Sequence, residues 1–473
     1  MSTGSETRTE HDSMGDMQVP AGAYYGASTQ RAVLNFPISD LRFSREFNRV
    51  LGTIKQVAAQ VNTELGLLDK KVGDAIVKAA QEVIDGKLEE HFVVDIFQTG
   101  SGTSTNMNAN EVIANRAAEI LGAPRGTRGP VHPNDHVNMG QSSNDVIPTA
   151  IHLTAAYLIQ TELIPALEEL QEAMEQKSRE FWPIIKTGRT HLQDATPIRL
   201  GQEFLGYAGQ AERAVKRARV ALDELCEVAL GGTAVGTGVN CHPEFAQRAC
   251  ARLSKALGVP VRETTNHFQA QNTLDNIVAA SGSLKTIAVS MMKIANDMRW
   301  LGSGPRAGIG EIALPEVQPG SSIMPGKVNP VIPESVAQVC AQVIGNDGAI
   351  TIAGQSGNFE INVMMPVAAH NLILSVKLLA SVTHNFVQQC VNGITATSKG
   401  PEMVEKGLAI CTGLVPAIGY DRAAKIAQEA GRTGKTVREV AKERTNLTDA
   451  ELDKLLDPAA MTEPGLGGAP TGG

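Results

Sequence analysis

Two long segments with apolar side chains at helical spacing constrain the fold more than any other feature of this chain. One runs from Leu200 to Leu230 and the other from Gln271 to Leu301. The stripes consist of Phe204, Ala208, Ala211, Val215, Ala218, Leu222 and Leu225 in the first segment, and of Ile277, Leu284, Ile287, Met291, Ile294 and Met298 in the second. A helix of about thirty residues is roughly 45 Å long. Helices of that length exceed what a small globule needs, so they predict a helical bundle.

The composition supports a mainly α fold divided into domains. Aromatic residues make up only 4% of the chain, whereas sheets favour aromatic and β-branched residues. At 473 residues the chain is too long for one compact core. We predict an N-terminal mixed domain (1–139), a central helical bundle domain (140–397) and a small C-terminal helical domain (398–473). Residues 1–16 are predicted to be a disordered arm, and the glycine-rich C-terminal end a disordered tail.

Four shorter helices are predicted within this frame. One extends from Met107 to Leu121 and ends before Gly122. Three lie in the last region, at Pro401–Ile410, Tyr420–Gly431 and Val437–Arg444. The apolar faces of the long helices are broader than one bundle can cover, which favours an oligomer.

Charge and hydropathy exclude several classes of function. The net charge is −8, so an extended nucleic-acid surface is not expected. The N-terminal residues contain no apolar signal region, and no stretch approaches eighteen uninterrupted apolar residues, which argues against secretion and a membrane span. The six cysteines form no CxxC pair. A cytoplasmic protein is the simplest interpretation.

Four polar, glycine-rich segments interrupt the helical pattern. They are 98–103 (QTGSGT), 132–145 (HPNDHVNMGQSSND), 187–191 (TGRTH) and 320–330 (GSSIMPGKVNP). Ser142 and Asp145 have capping-box spacing, and Thr196-Pro197 and Asn329-Pro330 are each expected to place proline at the first position of a helix. Free N–H groups at several helix N-termini favour binding of a small polyanion. Each segment alone is also what an ordinary helical protein uses for capping.

Other kinds of site fit these residues less well. The 320–327 stretch has five residues between its glycines rather than four, and Val328 stands where a P-loop has Ser or Thr. His132 and His136 are four residues apart, but Pro133 disfavours a helix there and no third ligand is evident. We therefore expect neither a metal nor a cofactor.

The same segments resemble those of a known family, the fumarase/aspartase superfamily, and within it the class II fumarases. The resemblance extends from about Pro20 to the C-terminal region, and 320–330 matches the most specific superfamily motif. Aspartases typically have Gly-Gly-Ala-Gly-Thr at 99–103, Ser-Thr-Asn-Asp at 142–145 and Gln at 191. All three positions here are of the fumarase type.

The resemblance implies a fumarase/aspartase-like three-domain fold with a central long-helix bundle. It also implies a metal-independent lyase of the tricarboxylic acid cycle that hydrates fumarate reversibly to (S)-malate through an aci-carboxylate intermediate. Family members are homotetramers whose active sites are shared between three chains. The alternatives are an aspartate ammonia-lyase, disfavoured by His191, and a catalytically silent helical structural oligomer, disfavoured because Ser321, His191 and Lys327 are all intact.

The resemblance assigns roles to individual residues. Ser321 corresponds to the base at C3, His191 to the group that activates water, Glu334 to the carboxylate that orients this histidine, and Lys327 to a carboxylate-binding catalytic residue. The implied substrate-binding residues are Ser101, Gly102, Thr103, Gln141, Ser142, Ser143, Asn144, Thr190, Ser322, Lys327, Val328 and Asn329. His132, Pro133, Asn134 and Asp135 match a second, non-catalytic anion site. One departure is Gly140, where fumarases usually have serine.

Overall fold

The computed structural model describes residues 6–127 and 129–465, and these residues are mainly helical, as predicted. The α-helices are α1 (Ala27–Asn35), α2 (Arg45–Glu64), α3 (Lys70–Ile84), α4 (Thr103–Ile120), α5 (Ser143–Leu158), α6 (Ile164–Phe181), α7 (Leu200–Leu225), α8 (Phe245–Leu257), α9 (His267–Asn272), α10 (Asp275–Leu301), α11 (Val331–Gly354), α12 (Met365–Gln389), α13 (Lys399–Val404), α14 (Val415–Ile418), α15 (Tyr420–Thr433), α16 (Val437–Arg444) and α17 (Asp449–Leu455). Short 3₁₀ turns lie at Glu89–His91, Val391–Gly393, Leu408–Leu414 and Ala460–Thr462, and π-helical turns at Pro133–Val137 and Ile159–Leu163.

The strands occur in pairs rather than in one extended sheet. Four pairs are antiparallel: β1 (Thr7–Asp12) with β2 (Gly15–Pro20), β3 (Ile185–Thr190) with β4 (Gln193–Arg199), β7 (Ile312–Ala313) with β10 (Thr395–Ala396), and β8 (Gly357–Asn358) with β9 (Ile361–Asn362). The pair of β5 (Glu227–Val228) and β6 (Arg262–Glu263) is parallel. These short pairs connect and terminate helices.

Both long predicted helices are present, with shorter bounds than the periodicity indicated. The first ends at Leu225 rather than Leu230, because residues 227–228 pair with 262–263 as strands. The second begins at Asp275 rather than Gln271, because Thr273 has an extended backbone that separates α9 from α10. Apolar residues keep the helical spacing beyond the end of the first helix and before the start of the second. The spacing therefore could not reveal these two boundaries.

The predicted disordered arm is wrong for its described residues. Residues 7–20 form a β-hairpin, in which Thr7 pairs with Pro20. The Arg8 guanidinium donates to the carbonyl oxygens of Pro20, Ala21, Ala23 and Tyr25, and the Arg31 guanidinium pairs with Asp12 at 2.7 Å. Polar composition predicted disorder, but these hydrogen bonds to later residues order the segment. Residues 1–5 and most of the predicted tail lie outside the described residues.

Other helix bounds differ by a few residues. Helix α4 begins at Thr103 rather than Met107, because its first turn is polar and carries no apolar periodicity. In the last region, the stretch predicted as one helix at 401–410 is a short helix, α13, followed by a 3₁₀ turn. Helices α15 and α16 match their predictions to within two residues.

The chain divides into two compact units. One comprises Met1–Pro165, Lys216–Ala288 and Cys340–Ser381, and the other Ala166–Val215, Val289–Val339 and Val382–Gly473. The first unit contains a core cluster of buried residues between Ala59 and Val137, and the second a cluster between Ile410 and Leu456. The predicted domain boundaries at 139 and 397 stay predictions.

A buried histidine on α5 predicts a pH dependence of stability. His152 is 5% exposed and its Nδ1 donates to the Glu227 carbonyl oxygen at 2.7 Å. Burial lowers the pKa of His152 to about 4. In the unfolded chain, the His152 imidazole binds a proton from about pH 6.5 downward. The contribution of His152 to the free energy of unfolding is therefore fully present above that pH and is lost as the pH falls towards 4. We expect a loss of about 2 kcal/mol from this group between pH 7.5 and 5.

Urea unfolding at pH 7.5 and pH 5, at fixed protein concentration, measures this loss. His152→Gln lacks the titrating group, so the free energy of unfolding of the variant should fall less than that of the unchanged chain. An equal fall in both proteins would contradict the assignment to His152.

Candidate functional site

The N-terminus of α5 carries the predicted capping box. The Ser142 Oγ accepts a hydrogen bond from the Asn144 backbone N–H at 3.2 Å, and the Asp145 carboxylate accepts one from the Ser142 N–H at 2.9 Å. Side chains therefore satisfy two N-terminal amides and hold the segment in a fixed conformation. The prediction of a helix start at this position is confirmed.

A row of hydroxyl groups joins this helix start to the start of α4. The Ser101 Oγ lies 2.8 Å from the Thr103 Oγ1, which in turn lies 2.7 Å from the Ser143 Oγ. Gly102 precedes α4 with φ +72°, and a Cβ there would lie only 2.8 Å from the Ile147 Cγ2. Glycine is therefore required for this approach. The hydroxyl row (Ser101, Thr103 and Ser143) marks the meeting of two helix N-termini, an arrangement suited to binding a carboxylate.

Asp145 also ties α5 to a glycine-rich loop at 231–238, which the sequence reasoning missed. The Asp145 Oδ2 accepts hydrogen bonds from the Gly231 N–H at 3.0 Å and the Thr233 N–H at 2.9 Å, and the Asn144 side-chain amide donates to the Ala234 carbonyl at 2.8 Å. Burial raises the pKa of Asp145 to about 6, although backbone N–H donors oppose the shift. The glycine cluster GGTAVGTG at 231–238 was the available signal for this loop.

Lys55 on α2 is a second missed residue. It is fully buried, and its ammonium donates to the Asn138 Oδ1 at 2.8 Å and the Gln141 Oε1 at 3.0 Å. Burial lowers the pKa of Lys55 to about 7, and the nearby Asp145 carboxylate opposes the shift. The signal was a lysine within the apolar stripe of α2, between Ile54 and Ala58.

The Gln141 side chain is engaged by the protein itself. Its Oε1 accepts from Lys55, and its Nε2 donates to the Val137 and Met139 carbonyls, both at 3.2 Å. Gln141 thus holds the turn that leads into α5. The adjacent Gly140 has φ +68°, a conformation that glycine adopts without strain and serine does not.

The 320–330 loop is closed by its own hydrogen bonds. The Gly320 N–H donates to the Lys327 carbonyl at 3.0 Å, and the Lys327 ammonium donates to the Asn329 Oδ1 at 2.6 Å. The Ser321 Oγ accepts hydrogen bonds from the backbone N–H groups of Ile323 at 3.2 Å and Met324 at 2.9 Å. Two amide donors therefore face the oxygen of the predicted base. Ser322 and Val328 lie exposed on the same loop.

Thr190 and His191 lie at the tip of the β3–β4 hairpin. Thr190 pairs with Gln193, and the two turn residues between them, His191 and Leu192, have φ of +57° and +59°. Two successive residues other than glycine seldom both have positive φ outside tight hairpin turns. The turn exposes the imidazole to solvent.

Two predicted helix starts differ from the structure. Thr196 and Pro197 belong to β4, with Pro197 opposite Thr187, so that helix begins at Leu200. Strand pairing, which the local Thr-Pro pattern cannot reveal, decides this. Pro330 precedes α11 rather than standing as its first residue.

Glu334 lies in the first turn of α11, and its N–H donates to the Pro330 carbonyl at 3.1 Å. Within residues 6–127 and 129–465, no hydrogen bond or ion pair joins Glu334 to His191. The predicted orienting contact is therefore not made within one copy of the described chain.

The predicted second anion segment forms a short π-helical turn at 133–137. The His132 Nδ1 accepts hydrogen bonds from the backbone N–H groups of Asn134 at 3.3 Å and Asp135 at 3.1 Å, and Asn134 and Asp135 are exposed. His132 itself has an extended backbone, in agreement with the effect expected from Pro133. Among the described residues, no group of three or more His, Cys, Asp or Glu side chains could hold a metal ion.

Comparison with known proteins identifies the class. Residues 15–345 match a family model described as "Lyase", and residues 410–463 match one described as "Fumarase C C-terminus". The chain thus belongs to a family of lyases.

Individual relatives narrow the class further. Fumarate hydratase class II 2 from Bradyrhizobium diazoefficiens is 51% identical over 97% of each chain, and fumarate hydratase class II from Halobacterium salinarum is 54% identical over 97% of this chain and 98% of its own. The chain belongs to the class II fumarate hydratase family.

Solved structures agree with the family assignment. A recombinant class II fumarase from Schistosoma mansoni has a TM-score of 0.95 and 40% identity, covering 97% of this chain and 99% of its own. A fumarate lyase:delta crystallin from Brucella melitensis, bound to cobalt, has a TM-score of 0.93 and 48% identity, covering 97% and 100%.

Proposed function

We infer that this chain is a lyase that catalyses the reversible hydration of fumarate to (S)-malate. The observation that carries this inference is the hydroxyl row at two helix N-termini, because its donors suit a carboxylate and the chain is about half identical to class II fumarate hydratases over nearly its full length. The substrate is a small dicarboxylate, whose two negative charges suit helix N-termini and Lys327.

Carboxylate binding is proposed to involve three segments. The hydroxyl row and the Ser142–Asn144 helix start offer hydroxyl and backbone N–H donors. Lys327 and Asn329 offer an ammonium and an amide on the 320–330 loop, where their mutual hydrogen bond pre-organises them. Thr190, Ser322 and Val328 complete the proposed pocket. Such donors stabilise the extra negative charge of an aci-carboxylate intermediate, which is the main catalytic demand of this reaction.

Acid/base chemistry is assigned to Ser321 and His191. In the direction of hydration, the imidazole of His191 takes a proton from the attacking water at C2, and the Ser321 hydroxyl gives a proton to C3. In the reverse direction, the Ser321 alkoxide removes the C3 proton and His191 protonates the departing hydroxyl. An alkoxide needs strong stabilisation, which the two amide donors to the Ser321 Oγ support.

Assays with two substrates test this function. The purified protein, treated with a chelator, is incubated with malate and separately with aspartate, and fumarate is followed by its ultraviolet absorbance. Fumarate from malate alone supports a metal-independent hydratase. Fumarate from aspartate alone indicates an ammonia-lyase. If neither malate nor aspartate yields fumarate, the remaining candidate is a structural oligomer. Activity lost to the chelator and restored by a metal contradicts metal independence.

We further propose that the protein is a homotetramer whose active sites each combine segments from three chains. The outward side of α11 supports association, since none of its exposed residues is charged: Gln338, Ala341, Gln342, Ile344, Gly345, Gly348, Thr351 and Ile352. Beside the two glycines a Cβ would meet no atom within 4 Å, so a second helix has room to approach closely. Phe359, at the β8–β9 turn, is 91% exposed with φ +53° and is a further candidate for burial by another copy. The Glu334–His191 contact, absent within one copy of the described chain, is proposed to form between copies.

Subunit complementation provides a test of shared sites. Co-expression of His191→Asn and Ser321→Ala chains in equal amounts should restore activity to about a quarter of the unsubstituted level, because random assortment leaves that share of sites with both residues intact. Each variant alone serves as the control. Hybrid tetramers no more active than the single variants would show that both residues of a site come from one chain.

A cytoplasmic location is proposed from the thiol chemistry and the family. Cys226, Cys241, Cys250, Cys390 and Cys411 are free thiols. Helix α10 and the segment Met365–Gly393, which begins with α12, are apolar and long enough to cross a membrane, as the core helices of soluble proteins also are. We propose that both helices belong to the helical bundle of the enzyme and do not cross a membrane.

A further inference from the structure

A buried polar cluster lies directly behind the proposed carboxylate site. It consists of Lys55 on α2, Asn106 on α4, Asn138 and Gln141 in the turn before α5, and Asp145 on α5. Lys55 and Asp145 are both 0% exposed, and Asn106 is 2% exposed. Removing an ammonium from water is costly, so a lysine at this depth must interact with groups that compensate for its lost hydration.

Hydrogen bonds connect this lysine to the segment that binds substrate. Its ammonium donates to the Asn138 Oδ1 at 2.8 Å and the Gln141 Oε1 at 3.0 Å. The Asn138 side-chain amide in turn donates to the Gln141 carbonyl at 3.0 Å. The turn between these residues runs straight into Ser142, so displacement of either side chain moves the N-terminus of α5.

The cluster also reaches the second helix start. The Asn106 side-chain amide donates to the Asn138 Oδ1 at 3.2 Å, and Asn106 lies in the first turn of α4 after Thr103. The same Asn138 oxygen therefore accepts hydrogen bonds from Lys55 and from α4. Both helix starts that carry the hydroxyl row are linked to one buried ammonium.

We propose that Lys55 is a positioning residue for dicarboxylate binding, which fixes the 138–141 turn and places a buried positive charge behind the N-termini of α4 and α5. This inference rests on the proposed function, because it assumes that the hydroxyl row receives a substrate carboxylate. An ammonium in a water-excluded interior acts over a longer distance than one at the surface, since the low dielectric screens it less. Asp145 is the opposing charge. Asn138 and Gln141, which accept hydrogen bonds from the ammonium, are neutral, so they orient it without cancelling its charge.

The primary experiment compares steady-state kinetics of the unsubstituted enzyme and Lys55→Met at pH 6.5, where the ammonium form is favoured. We expect KM for malate and the inhibition constant of succinate, an unreactive dicarboxylate, to rise about ten-fold or more, while kcat changes less than about three-fold. Damage that only reduced the amount of folded enzyme would lower kcat and leave KM unchanged. Lys70→Met, an exposed lysine on α3, is the matched control.

A second pair of variants separates charge from hydrogen bonding. Asn138→Asp places a carboxylate against Lys55 and keeps an acceptor for it, whereas Asn138→Ala removes the hydrogen bonds without adding charge. We expect Asn138→Asp to raise KM more than Asn138→Ala does. If Lys55→Met fails to fold, this comparison still tests the role of the Lys55 charge in dicarboxylate binding.

Two outcomes overturn the proposal: an unchanged KM in Lys55→Met, or equal KM values in the two Asn138 variants. If the unsubstituted protein makes no fumarate from malate, the proposed function fails separately. Calorimetric titration with succinate then still tests Lys55, and equal affinity in the unsubstituted protein and Lys55→Met overturns its role.

Discussion

Replacement of His191 by asparagine is expected to lower kcat by about 10²–10⁴-fold in both directions, because a positioned general acid/base contributes that much. The imidazole lies exposed at the tip of the β3–β4 hairpin, where two successive residues have positive φ. Asparagine is tolerated at positive φ better than most residues, so the turn should be retained while the imidazole is lost. KM should change little, since carboxylate binding is assigned to other residues.

Initial rates with malate and with fumarate, followed by ultraviolet absorbance, measure this effect. His384→Asn is the matched control, because that histidine is exposed and pairs with Glu169 outside the proposed site. Its activity should stay close to that of the unsubstituted enzyme. A kcat within about ten-fold of the unsubstituted value for His191→Asn would exclude His191 as the acid/base group.

Replacement of Ser321 by alanine should lower kcat by about 10³-fold, because the variant lacks the oxygen that exchanges a proton with C3. The Ile323 and Met324 N–H groups that face the Ser321 Oγ would lose their acceptor, but both lie in an exposed part of the loop where water can replace it. The fold should therefore be retained. KM for malate is expected to rise only a few-fold.

Hydrogen exchange at C3 of malate tests the role of Ser321 as the C3 base. In deuterated water, nuclear magnetic resonance follows the incorporation of deuterium at C3 of malate, and Ser321→Ala should abolish it. Ser356→Ala is the control, since this serine lies in the turn after α11, outside the proposed site, and its hydroxyl donates to the Ile352 carbonyl. Exchange at an unchanged rate in Ser321→Ala would assign the C3 base to another group.

Local patterns predicted what depends on local structure. The period of the apolar residues gave the two long helices, since each must bury one face whatever its neighbours are. The Ser142–Asp145 capping box was predictable because its partners are three residues apart. The 320–330 segment was predicted to interrupt the helical pattern, and it forms a loop closed by its own hydrogen bonds.

The predictions that were wrong or missing concern residues whose contacts are with residues distant in the sequence. The N-terminal hairpin was mistaken for disorder because Arg8 and Arg31 are satisfied by contacts that composition does not reveal. Pro197 was placed at a helix start, whereas pairing with β3 makes it part of a strand. Lys55 escaped notice because its acceptors are more than eighty residues away.

The sequence alone therefore determined the helical class, the capped start of α5 and, through the motifs at 99–103, 142–145, 191 and 320–330, the family and its reaction. Only the tertiary structure decided that the hydroxyls of Thr103 and Ser143 meet, that the Ser321 oxygen faces two amides, and that a buried lysine supports the turn before α5. The physical reason is that periodicity, capping and turn preferences act over a few residues. Hydrogen bonds between remote segments form only once the helices have packed and excluded water.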